Sequence, residues 1–217
     1  MIKLVIIDFD DTLSLTEKAC FNIENHIAKK MGFLPMDRDT HLKNWGKPIK
    51  EAIKERFPGI NVNNFMVNLE RTLPEFVKRS KIDVVSNVNL EVLDILKKLG
   101  YKLAILTSRT LGEVKHLINK NHPLNTRIET IYHRNNMKYV KPDPRVFKNA
   151  LSEYDVKPNE AIYIGDSPSD ALAAKNAGLH FIALLESKIR TRTDFVELKV
   201  DFFADTFPQI IDYIRNN

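Results

Sequence analysis

Short runs of apolar, often β-branched residues alternate with stretches of helical spacing along most of this chain. That alternation leaves few folds open, because it builds βαβ units and hence a parallel sheet covered by helices. Residues 3–7, 102–106, 161–164 and 181–185 are predicted strands, with 127–132 and 201–203 as further candidates. Helical spacing marks 89–99, 111–121, 143–154 and 167–177, and a closing helix is expected over 207–214. Gly100 and Gly178 follow two of these helices, where a left-handed residue ends the last turn.

One section breaks the rhythm. Between residues 14 and 85 there is no strong strand signal, and 16–31, 47–57 and 63–81 all have helical spacing. A helical block inserted directly after the first strand reads as a separate small domain. It divides the chain into a core of residues 1–14 and 86–217 and an inserted domain of 15–85. Two linkers, near 14–16 and 82–87, would let the block tilt as a lid.

Composition permits this architecture. The 217 residues are 43% hydrophobic and 28% charged, enough for a buried core. The net charge of +5 is spread over pairs such as Lys29-Lys30 and Lys97-Lys98, which read as solvated helix faces. Without a basic block no nucleic-acid partner is expected, while a mild positive field favours small anions. A lone cysteine, Cys20, excludes an internal disulfide and a thiolate cluster. The apolar run 2–7 stops at Asp8, too short for a signal peptide or a membrane span, so a cytoplasmic location is expected.

Ligands of open α/β sheets bind beyond the carboxyl ends of the strands, so the residues there carry the functional argument. The first strand ends in Asp8-Phe9-Asp10-Asp11-Thr12, the second in Thr107-Ser108-Arg109, and a later one in Gly165-Asp166-Ser167-Pro168-Ser169-Asp170. Lys141-Pro142-Asp143-Pro144 precedes a core helix. Taken singly, each has a plain structural reading: an Asp after a strand is often a turn or cap, a lone lysine is usually solvated, and Thr107 could cap a helix. Together, aspartates without a histidine or cysteine cluster favour a hard cation, magnesium before zinc. Two carboxylates two residues apart can divide nucleophilic attack and proton transfer between them, while a lysine and a hydroxyl hold phosphoryl oxygens.

These four segments, in this order, resemble the four signatures of the haloacid dehalogenase-like hydrolase superfamily. The resemblance spans essentially the whole chain and implies a Rossmann-like, doubly wound parallel sheet with an inserted α-helical cap. The inserted block looks like the small cap of the phosphoglycolate phosphatase-like and β-phosphoglucomutase-like branches. It implies Asp8 as nucleophile and magnesium ligand, and Asp10 as general acid and base that also meets the metal through its backbone carbonyl. Thr107, Ser108 and Lys141 would hold the phosphoryl group and Asp166 would bind the metal, with Asp170 either reaching the metal or orienting its surroundings. Asp10 is absent from dehalogenases and phosphonate-cleaving members, so those chemistries are set aside. Asp11 replaces the glycine commonest in that position and is read as a turn residue.

The implied activity is hydrolysis of a phosphate monoester on a small phosphorylated metabolite by a monomer or weak dimer. The rivals are a phosphomutase acting on a sugar phosphate and a catalytically silent binding module. Trp45 and Lys47 in the cap, and Arg109 beside Ser108, are candidates for contacting the rest of the substrate. Of the histidines, His133 lies nearest the lysine loop.

Overall fold

The computed structural model describes residues 1–79 and 81–217. Chain contacts group them into two compact units, Met1–Ser14 with Val85–Asn217, and Leu15–Val84.

The first unit carries six strands: β1 (Leu4–Ile7), β2 (Lys102–Leu106), β3 (Thr130–Tyr132), β4 (Ala161–Gly165), β5 (His180–Leu184) and β6 (Phe202–Ala204). All pairs are parallel, in the order β3-β2-β1-β4-β5-β6. The core is therefore the α/β parallel sheet that the alternating pattern specifies. β1 is central, and chain order runs outward from it in both directions, which opens a crevice beyond its carboxyl end. Alternate residues feed two cores. Val5, Ile7, Leu103, Ile105, Ile162 and Ile164 face one side; Leu4, Ile6, Ala104, Leu106 and Tyr163 face the other. Burial on both faces explains why β1 reads as an unbroken apolar run rather than an alternating one. Each buried Val, Leu or Ile among them contributes about 1.5–3 kcal/mol by leaving water.

Helix punctuation follows local chemistry. Ser167 caps the helix Pro168–Ala177 by accepting from the Asp170 amide, while the Asp170 carboxylate accepts from the Ser167 amide. Gly178 ends that helix at φ +82°. Three expected helices change form. The 111–121 stretch is α-helical only over Leu111–Val114, and beyond it the backbone closes tighter turns, Leu117 N to Val114 O at 2.8 Å and Asn119 N to His116 O at 3.3 Å. The 143–154 and 207–214 stretches each open as a tight 3-10 turn with proline in its first two positions, Pro144–Phe147 and Phe207–Gln209, before Lys148–Glu153 and Ile210–Arg215 continue as α-helix.

Among the described residues, the regular elements of the second unit are helices: Glu17–Lys30, Arg38–Lys43, Ile49–Arg56 and Val62–Lys78. The helix expected over 63–81 includes residue 80, which lies outside the described residues. Arg38–Lys43 was not anticipated, although Asp37 caps it by accepting from Thr40 N at 2.7 Å. Ile23, Ile27, Ile53, Phe57, Phe65, Leu69 and Leu73 form its core. Within that unit lies a buried ionic cluster. Arg56 grips both oxygens of Glu24 (2.8 and 2.7 Å), and fully buried His41 lies between Glu17 (3.2 Å) and Glu24 (3.5 Å). Arg38 reaches Glu17 from the rim. Among the described residues, no helix is long and apolar enough to cross a membrane.

Candidate active site

Asp8 is the first residue beyond β1, and its amide donates to Ile164 O at 2.8 Å, so the β1–β4 ladder fixes its backbone. Thr107 takes the same place beyond β2, with its amide on Tyr132 O at 2.9 Å. Asp166 follows β4, and Asp170 lies in the first turn of the next helix. All four side chains are buried. Lys141 enters from the loop before the Pro144–Phe147 turn, ahead of a cis peptide bond to Pro142. Its ammonium lies 3.1 Å from Asp8 Oδ2 and 2.7 Å from Asp170 Oδ1.

Carboxylate oxygens of Asp8, Asp166 and Asp170 all lie within 4.8 Å of one another. Burial, opposed by Lys141 and reinforced by the charges of Asp170 and Asp10, pushes the Asp8 carboxyl up to about 7. Burial followed by Asp170 and Asp8 also raises Asp166 well above the usual carboxylate range. The Lys141 ammonium loses solvation on burial, yet Asp170 and Asp8 more than restore its charged form. One lysine among three carboxylates leaves negative charge uncompensated. An all-oxygen donor set of this kind fits a hard divalent cation, which would restore full ionisation of Asp8 and Asp166.

Both oxygens of Asp170 are already engaged. Oδ2 accepts from Ser167 N (3.0 Å) and Ser167 Oγ (2.6 Å), and Oδ1 accepts from Lys141 and from the Tyr163 hydroxyl (3.2 Å). Gly165 makes room for this carboxylate: a Cβ there would sit 2.6 Å from Asp170 Cγ. Tyr163 escaped the sequence reading. Its hydroxyl, under the site, also accepts from Lys141 Nζ at 3.2 Å and reaches Leu106 O at 3.3 Å. The available signal was a polar-tipped ring in an otherwise apolar buried strand.

Asp10, whose charge also bears on Asp8, is not one of these three carboxylates and has a different partner. The Arg109 guanidinium holds it by two parallel bonds, Nε to Oδ2 at 2.9 Å and Nη2 to Oδ1 at 2.6 Å. Ser108 is exposed beside it. Asp11 has φ +53°, in the left-handed region where glycine is easiest and aspartate is tolerated. Its amide donates to Ser14 O at 2.8 Å, closing the turn after β1. Asn89 pins that turn from below, donating to Leu13 O at 3.0 Å. His133 is a turn residue whose Nδ1 accepts from Asn135 N at 3.2 Å. Trp45 and Lys47 belong to the helical unit. There Trp45 packs 5.1 Å from the His41 ring, and Lys47 pairs with Glu55 at 2.7 Å.

Residues 5–184 match the family model described as haloacid dehalogenase-like hydrolase. The chain belongs to that family. Among its relatives is the pyrophosphatase PpaX of Bacillus velezensis, 29% identical over 82% of this chain and 80% of that protein. The phosphoglycolate phosphatase of Nitrosospira multiformis is 26% identical over 82% of this chain and 81% of its own length. The fold is also that of a haloacid dehalogenase hydrolase of family IA, variant 3, from Entamoeba histolytica. That structure has a TM-score of 0.82 at 20% identity and covers 99% of this chain and 100% of its own. This family member is thus an enzyme of the hydrolase class, with named phosphatases among its relatives.

Proposed function

We propose that this chain is a magnesium-dependent phosphatase that hydrolyses a phosphate monoester of a small metabolite through a phosphoryl group carried on Asp8. The observation that carries this reading is the Lys141 ammonium, 3.1 Å from Asp8 and 2.7 Å from Asp170, at the central crevice of the sheet.

Asp8 and Asp166 would hold the magnesium ion, which when bound neutralises charge on the phosphoryl oxygens. Thr107, Ser108 and Lys141 bind those oxygens and present the phosphorus to Asp8. The Asp8 carboxylate attacks phosphorus, the bond to the leaving oxygen breaks, and Asp10 gives that oxygen its proton. Asp10 then takes a proton from a water molecule, whose oxygen attacks the phosphorus. Phosphate leaves and the Asp8 carboxylate is regenerated. Asp170 acts by holding Lys141 in place. Trp45 and Lys47 are the residues to test for substrate choice.

The test is phosphate release from a panel of phosphoglycolate, pyrophosphate, nucleoside monophosphates, sugar phosphates and an aryl phosphate, with magnesium and with EDTA. Magnesium-dependent release that vanishes in Asp8→Asn is expected. Turnover that survives in Asp8→Asn would remove the covalent route, and isomerisation of a hexose 1-phosphate without release would make the enzyme a mutase.

A further inference from the structure

We propose that Arg109 is a positioning residue for Asp10, fixing the carboxylate that serves as acid and base; the inference rests on that reading of Asp10. The pairing is two-pronged, Nε and Nη2 each meeting a separate oxygen, the arrangement in which a guanidinium imposes direction as well as charge. A lysine ammonium, a single point of charge, cannot reproduce it.

Arg109 is itself held on several sides. Its side chain is 9% exposed against 26% for Asp10, so the arginine is the more enclosed partner. The guanidinium carbon sits 5.1 Å from the centre of the Phe9 ring. Its amide donates to Thr107 Oγ1 at 3.3 Å, and its carbonyl accepts from Arg134 N at 2.8 Å. Asp10, by contrast, begins the turn that passes through left-handed Asp11. Arg109 therefore ties the loop after β1 to the loop after β2, with Thr107 bonded to the arginine's own backbone. Orientation is what the pair supplies. A proton donor displaced by about 1 Å from the leaving oxygen loses on the order of 10²-fold in rate.

The test uses the full chain with magnesium and compares kcat/KM for p-nitrophenyl phosphate, whose leaving group needs no proton, with n-butyl phosphate, whose leaving group does. In Arg109→Lys and Arg109→Gln, the butyl ester is expected to lose about 10²-fold, the typical contribution of a placed general acid, while the aryl ester changes by only a few-fold. The retained aryl rate doubles as the check that each variant is folded. In an Asp10→Asn background the Arg109 substitutions should add nothing further. Equal losses on both esters, or a raised KM with unchanged kcat, would overturn the inference, since Arg109 would then act on substrate or fold. Full additivity with a damaging Asp10→Asn would overturn it as well. An Asp10→Asn enzyme that keeps its butyl-ester rate would overturn the parent reading of Asp10 and this inference with it.

Discussion

Lys141 lies closer to Asp170 than to Asp8, 2.7 Å against 3.1 Å. Asp170 has no exposed surface and its second oxygen is occupied by Ser167, so its charge is directed at the lysine rather than at solvent. The ammonium is thus anchored by Asp170 while it also meets Asp8. Asp170 also closes the cap of its own helix, which couples helix position to lysine position.

Asp170→Asn keeps the volume and removes the charge. We expect kcat/KM for phosphate monoesters to fall about 10–100-fold, the range usual for residues that orient ligating groups. Steady-state kinetics at fixed magnesium would show it, and a variant within two-fold of wild type would separate Lys141 placement from Asp170.

Tyr163→Phe deletes one hydroxyl that touches Lys141, Asp170 and Leu106 O. Loss of a buried hydroxyl that partners other polar groups costs about 1–3 kcal/mol. Urea unfolding should report that loss together with a lower kcat/KM. Unchanged stability would mean that the remaining bonds rearrange to replace it.

Magnesium should stabilise the folded chain independently of turnover, because it binds the native carboxylates and not the unfolded ones. At about 100 times its Kd the gain is about 2.7 kcal/mol, visible as a rise in Tm. Asp166→Asn should lose most of that rise while remaining folded. A Tm indifferent to magnesium in the wild type would remove the cation from Asp8 and Asp166.

In the helical unit, Arg56→Met should destabilise by about 3–5 kcal/mol, because Glu24 is left buried without its bidentate partner. Changing Glu24→Gln at the same time should recover much of the loss. A single variant as stable as wild type would show that His41 alone satisfies Glu24, and chemical denaturation of both variants decides it.

The positions of Asp8, Thr107 and Asp166 were legible because strand periodicity is local. Once β1, β2 and β4 are parallel neighbours, the residue after each must emerge on one edge of the sheet. The family signatures follow from the same order along the chain. The glycine preference at position 11 was likewise interpretable, since φ +53° there is a property of the turn itself. Partnerships were not legible. Arg109 and Asp10 are 99 residues apart, and Tyr163 and Leu106 are 57 apart. The buried Glu24–Arg56 pair, 32 residues apart, belongs with them. Such contacts depend on how side chains of distant segments meet after the sheet and helices have packed, and no local periodicity encodes that meeting. The sequence by itself therefore determined which groups stand at the edge of the sheet. The tertiary structure decided which of them are bonded, because only packing sets the distances over which charge and hydrogen bonds act.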